Sequence, residues 1–219
     1  NILLFNNRIY GLTKGQYSPT SEVNKRTKTS PEGVIDYPLH PLSMAIGAEA
    51  SFVARTIDVW VKHLGETLDR AAHHKGTSFV EIYQDCNIFN HLAFEYATDK
   101  QMKADNAIEL KHGRPLTFGK DGKKGIRLNG MDPEIVTLGN GITEDDLLFH
   151  DEAAPEPSLA YLLSRMHYPR FPEPIGVFRA VERETYEDTL TGQVNAAVAE
   201  KGPGVLEGLF TDAETWTVE

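Results

Sequence analysis

Ile2-Leu3-Leu4-Phe5 is an unbroken apolar run ending in Asn6-Asn7, the pattern of a strand buried on both faces of a parallel sheet. Residues 6–41 show little periodicity and, after Tyr10, are rich in Ser, Thr, Pro and Gly, which predicts a long loop. Loops that long inside a compact domain are usually functional or disordered. Pro41 opens a helical spacing through Leu42, Met44, Ala45 and Ala48, with proline in the first turn where helices accept it. Ser51 to Thr56 reads as a strand. Asp58 is placed to cap a helix from about Val59 to His74, with Val61, Leu64, Leu68 and Ala71/Ala72 on one face and Gly76 closing it. Ser78 to Tyr83 reads as the next strand. Strand, loop, helix, strand, helix, strand is the α/β signature, a parallel sheet flanked by helices.

The pattern changes near residue 100. Arg114 to Gly119 and Lys124 to Leu128 flank Asp121-Gly122, a hairpin signal. Leu159 to Met166 reads as a short helix stopped by Pro169. Phe171 to Pro174 reads as a Pro-rich connector and Ile175 to Arg179 as a strand. Glu184 to Lys201 reads as an amphipathic helix ended by Gly202. Residues 1–100 are therefore expected to form the core of the site, and residues 101–219 a peripheral C-terminal extension that contacts a partner or covers the site.

The chain has 219 residues, 40% hydrophobic and 25% charged, which is globular composition. Its net charge of -10 argues against nucleic acid or an anionic membrane as a nonspecific partner. No apolar stretch approaches the roughly 18 residues of a membrane span. One cysteine excludes an intrachain disulfide framework and fits a reducing, cytoplasmic location. The chain opens without Met or a signal-peptide pattern, and the expectation is that it enters its first strand partway, with an N-terminal part of the protein lying upstream.

Candidate chemistry concentrates in two turns. Asn6-Asn7-Arg8-Ile9-Tyr10-Gly11 follows the carboxyl end of a strand, where ligands bind in open α/β sheets. An Asn amide oxygen and a nearby backbone carbonyl are hard ligands suited to Mg²⁺ holding a diphosphate, and Gly11 would let the backbone approach phosphates. The plainer reading is that the Asn pair ends a strand. Cys86 also lies just past a strand. It reads as a small buried hydrophobe, or as a thiolate ligand or nucleophile, and a cluster would need further cysteines from elsewhere. His73-His74 suits a helix C-terminus. Asp145-Asp146 and Asp151-Glu152 read as a solvated face, and Lys25-Arg26-Thr27-Lys28 as a solvated loop or a contact for phosphates or an acidic protein.

The segments Asn6-Asn7-Arg8-Ile9-Tyr10-Gly11-Leu12-Thr13-Lys14-Gly15-Gln16-Tyr17-Ser18-Pro19-Thr20, Gly47 to Arg55 and Phe79 to Asn87 resemble the β subunits of bacterial 2-oxoacid:ferredoxin oxidoreductases, with the greatest likeness to 2-oxoglutarate:ferredoxin oxidoreductase. The resemblance implies a thiamine diphosphate-binding fold. In that family a Gly-Asp-Gly motif precedes the Asn pair. Here only the second half is present, with Asn7 and the Ile9 carbonyl as the implied Mg²⁺ ligands. Gly11 and Leu12 match cofactor-contacting positions, Leu12 also faces the substrate, and Lys14 matches a lysine implicated in coenzyme A binding. The family's upstream cysteines are absent, so Cys86 is implied as the fourth ligand of a [4Fe–4S] cluster. The implied reaction is the reversible oxidative decarboxylation of 2-oxoglutarate to succinyl-CoA and CO₂. The implied partners are an α subunit, ferredoxin, coenzyme A and the 2-oxoacid. No side chain is assigned as a catalytic acid or base. The alternatives are a pyruvate or broad 2-oxoacid enzyme, or a noncatalytic interaction fragment of such a complex.

Overall fold

The computed structural model describes residues 1–211 and 216. The C-terminal extension expected out to residue 219 thus includes 212–215 and 217–219, which lie outside the described residues. In chain order the elements are β1 (Ile2–Asn6), α1 (Pro41–Gly47), β2 (Phe52–Ile57), α2 (Val61–His73), β3 (Ser78–Tyr83), α3 (Glu95–Thr98), α4 (Lys103–Asn106), β4 (Ala107–Glu109), β5 (Thr117–Phe118), β6 (Lys124–Asn129), β7 (Asp132–Thr137), α5 (Ser158–Ser164), β8 (Glu173–Ala180), α6 (Tyr186–Lys201) and α7 (Leu206–Thr211). Contacts divide the chain into one unit of residues 1–182 and another of 183–219.

The main sheet has the order β1-β3-β2-β8-β4. β1, β3 and β2 are parallel, as the alternation of strand and helix predicts. β8 then adds antiparallel to β2, and β4 runs parallel to β8, so the sheet is mixed. Period-two alternation in β2 sends Phe52 and Ala54 to one face and Val53 to the other. On the first face Leu64, Leu68 and Ala71 of α2 pack over Phe52, Ala54, Val80, Ile82 and Val177. On the second, Leu42, Ala45 and Ile46 of α1 and Ala160 and Leu163 of α5 pack with Val53, Ile108 and Phe178. Gly176 has φ 138°, and a Cβ there would lie 2.9 Å from Leu110 Cβ, so only glycine fits this irregularity in β8.

Several details differ from the expectations. β1 is the edge of the sheet, and Ile2, Leu3 and Phe5 are 54%, 46% and 57% exposed, so it is not buried on both faces. An apolar run has the same composition at an edge as at the centre. Asp58 does not cap α2, which begins after Trp60 without a side-chain cap. The Asp121-Gly122 hairpin is present, but β6 also pairs along its length with β7. Asp132-Pro133-Glu134 disguises β7, although proline is tolerated on such an edge. The strand expected at Ile175 starts at Glu173, inside the supposed connector. α6 has the expected Gly202 terminus and a Thr185 cap, yet its stripe of Tyr186, Leu190, Val194 and Val198 is exposed. No helix among the described residues is long and apolar enough to cross a membrane.

Candidate functional site

β1 delivers the Asn pair to the carboxyl end of the parallel strands, beside the ends of β3 and β2. Asn6 is buried and Asn7 half-buried. Two successive side-chain-to-backbone turns bend the chain there: Arg8 N–H donates to Asn6 Oδ1 (3.1 Å), and Ile9 N–H to Asn7 Oδ1 (3.2 Å). Arg8 between them has φ 53°, in the left-handed region. The loop then closes on itself, with Tyr10 N–H bonded to the Gln16 carbonyl at 2.8 Å and Gly15 N–H to the Tyr10 carbonyl at 3.0 Å. Leu12 sits at its tip and is 98% exposed. Lys14 is exposed at φ 64°. A Cβ at Gly11 would meet nothing within 4 Å, so the residue leaves a bare backbone face turned outward.

Asn7 Oδ1 and the Ile9 carbonyl are two hard oxygen donors on one short turn, a donor set that fits Mg²⁺. Cys86 is half-buried on the next strand end. A cluster does not fit the chain by itself. Cys86 is the sole cysteine, and among the described residues no group of three His, Cys, Asp or Glu is arranged to hold a metal.

The two turns are nevertheless joined. Asn90 N–H donates to the Cys86 carbonyl (2.9 Å), while Asn90 Nδ2 donates to the carbonyls of Asn7 (2.9 Å) and Arg8 (3.4 Å). Lys25 Nζ donates to Asn90 Oδ1. Lys25, read from sequence as part of a basic cluster in the loop, is thus engaged in bracing this junction.

Behind the Asn pair lies a network of buried charge that the motifs did not reveal. Asn6 Nδ2 donates to Glu81 Oε1 at 2.7 Å, and Thr20 Oγ1 donates to Asn6 Oδ1 at 2.7 Å. Arg55 Nε donates to Glu81 Oε2 at 2.8 Å, and its NH1 to Glu173 Oε1 at 2.5 Å. All three ionic side chains are at most 1% exposed. Tyr83 Oη, Tyr96 Oη and His167 Nδ1 also contact the Glu173 carboxylate. Arg8 turns inward, with its guanidinium 4.7 Å from the Phe94 ring centroid and an ion pair to Glu22 at 3.3 Å. Burial pushes the Glu173 carboxyl up, but Arg55 and the His167 imidazole outweigh it and hold it well below the usual range. Arg55 and Glu81 face each other in register as the fourth residues of β2 and β3. That pairing of opposite charges inside two apolar strands was the available signal.

A cavity of about 250 Å³ opens onto this network between Asn6, Arg55, His40 and His167. The His40 and His167 rings stack at 4.5 Å. Burial, and then the neighbouring His167, lower the His40 pKa from 6.5 to about 4. Above the unfolded value of 6.5 the ring is neutral in both states and its titration contributes nothing. Between 6.5 and about 4 the unfolded chain takes up a proton that the folded chain refuses, so stability falls as pH falls. The denaturation midpoint of wild type should therefore drop more steeply over this window than that of His40→Gln. Parallel pH profiles would exclude this assignment.

Residues 1–82 match the model of the thiamine pyrophosphate enzyme C-terminal TPP-binding domain. The chain is 43% identical along its whole length to 2-oxoglutarate oxidoreductase subunit KorB of Mycobacterium tuberculosis, and spans 59% of that protein. It is 36% identical to 2-oxoacid:ferredoxin oxidoreductase 1 subunit beta of Aeropyrum pernix, across 48% of this chain and 33% of the relative. The solved 2-oxoglutarate:ferredoxin oxidoreductase from Magnetococcus marinus superposes with a TM-score of 0.66 at 22% identity, covering 97% of this chain and 57% of the other, and shares its fold. That structure holds 2-oxoglutarate, coenzyme A and succinyl-CoA. With residues 1–82 matching the model of a thiamine pyrophosphate-binding domain and an Asn-Asn-Arg-Ile turn at the strand ends, the chain is similar along its full length to a 2-oxoglutarate oxidoreductase subunit and in part to 2-oxoacid:ferredoxin oxidoreductase β subunits.

Proposed function

We propose that this chain serves in a ferredoxin-dependent oxidoreductase that converts 2-oxoglutarate and coenzyme A to succinyl-CoA and CO₂, reversibly, with an α subunit as its partner. The observation that carries the reading is the turn at Asn7: a side-chain oxygen, the Ile9 carbonyl, and the bare backbone at Gly11, all at the carboxyl end of β1. Asn7 and Ile9 would hold Mg²⁺, and through it the diphosphate. Thiamine diphosphate, when bound, supplies the centre that stabilises the carbanion left as a 2-oxo acid loses CO₂.

This chain's own residues contribute binding and orientation. Gly11 admits the cofactor backbone-close, and exposed Leu12 offers an apolar wall to the substrate. Lys14 offers an ammonium to a coenzyme A phosphate or thiolate. Cys86 is assigned as one ligand of a [4Fe–4S] cluster whose other ligands come from outside these 219 residues. No electron-transfer step is routed through it. An open groove of about 1000 Å³ borders Tyr10 and Gln16, beside the loop, and leaves room for substrates there.

Preference for 2-oxoglutarate over pyruvate rests on the similarity to 2-oxoglutarate oxidoreductase subunits. A buried distal carboxylate needs a cation or several donors, and Leu12 supplies neither. Those donors lie on the α subunit or on another part of the β subunit. The test compares specificity constants of the assembled complex with ferredoxin as acceptor. A site built for the second carboxylate should favour 2-oxoglutarate by about a hundredfold or more. Preference for pyruvate would overturn the substrate assignment.

A further inference from the structure

We propose that Glu81 is a positioning residue for the Mg²⁺–diphosphate turn, acting through the Asn6 carboxamide and held in place by Arg55. The inference deepens the cofactor reading above and rests on it.

The chemistry of an amide carries the argument. Asn6 can present either its oxygen or its NH₂ to the turn, and the two choices have opposite consequences. With the oxygen forward it accepts from Arg8 N–H at 3.1 Å and from Thr20 Oγ1 at 2.7 Å. With the NH₂ forward, donor would face donor and the first bend after β1 would lose its hydrogen bond. Glu81 decides between them, because a carboxylate only accepts and so captures the NH₂ at 2.7 Å. Its second oxygen is occupied by Arg55 Nε at 2.8 Å, which fixes the carboxylate's rotation. Arg55 is fixed in turn by Glu173 Oε1 and the Pro174 carbonyl, both on β8.

The oriented Asn6 oxygen supports Arg8 in a left-handed conformation that a residue with a Cβ adopts only when held there. That conformation sets where Asn7 Oδ1 and the Ile9 carbonyl lie, one residue to either side. Glu81 touches neither implied metal ligand. It occupies the outer layer that orients ligands, and loss of such partners typically weakens metal affinity about 10–100-fold.

The test measures binding of Mg²⁺–thiamine diphosphate to the assembled complex, by titration of cofactor occupancy. Glu81→Gln keeps the volume and one acceptor oxygen but removes the charge that selects the amide's orientation. It should raise Kd about tenfold or more, as should Asn6→Ala. The double variant should bind no worse than the weaker single one, because both remove the same support. Leu163→Ala, in the core between α5 and the sheet, should lower the thermal midpoint and leave Kd unchanged. If Glu81→Gln lowers the midpoint as Leu163→Ala does but binds cofactor like wild type, the ion pair is purely structural and the proposal fails. Asn7→Ala separates the layers. Cofactor release by Asn7→Ala with wild-type binding by Glu81→Gln refutes only the positioning role. Retention of cofactor by Asn7→Ala refutes the metal turn and this inference with it.

Discussion

Asn7→Ala should empty the complex of thiamine diphosphate at Mg²⁺ concentrations that saturate wild type. The substitution removes one hard oxygen outright. It also releases Ile9 N–H, which Asn7 Oδ1 holds at 3.2 Å, so the Ile9 carbonyl loses its fixed direction. Two of the oxygen donors proposed for Mg²⁺ are therefore disturbed by one change, and on that proposal the diphosphate is held largely through the metal. Loss of an outer partner already costs about 10–100-fold in metal affinity, so loss of a direct ligand should exceed about a hundredfold. Asn7→Asp, which keeps an oxygen in place, should retain measurable binding. Cofactor content measured across a Mg²⁺ titration decides the matter: full occupancy of Asn7→Ala at the wild-type midpoint would end the assignment.

The second large effect is on stability. Arg55→Ala should destabilise residues 1–182 by about 3–5 kcal/mol, because it leaves buried carboxylates without their counter-ion. Glu81 and Glu173 are 1% and 0% exposed, and neither can turn to water. The guanidinium also lies 4.9 Å from the Tyr83 ring and 5.5 Å from Phe178, so packing is lost with the charge. Arg55→Lys should recover only part of this, since one ammonium cannot reproduce the fork that reaches both acids. Against the usual total of about 5–15 kcal/mol, the loss is a large share. Chemical denaturation midpoints measure it. An unfolding free energy within about 0.5 kcal/mol of wild type would refute this role for Arg55.

Much of this was legible in the residues, and the failures have physical causes. β2, β3 and α2 announced themselves because their apolar spacing is set by burial on known faces. The Asn pair was legible because it directly follows such a strand. The position of β1 in the sheet was not, because Ile-Leu-Leu-Phe suits an edge or a centre alike. The direction of β8 depends on a partner 118 residues away, where Arg55 meets Glu173. Glu173 itself was hidden in Phe-Pro-Glu-Pro, a sequence with the look of a connector. Taken singly, Arg55 and Glu81 are charges in otherwise apolar strands. They acquire meaning only from the register that sets them opposite each other.

The same register constrains the order in which the chain can mature. β2 and β3 are made close together, so Arg55 and Glu81 can meet early. Glu173 emerges from the ribosome roughly ninety residues after Glu81, at about 5–20 residues per second. Until it arrives, the guanidinium has one carboxylate and a wet flank, and the sheet must stay open there. Arrival of β8 seals a charged site and extends the sheet in one event, a long-range closure of the kind that slows folding. A nascent chain halted before residue 173 would therefore hold its Asn6–Ile9 turn on an unfinished support.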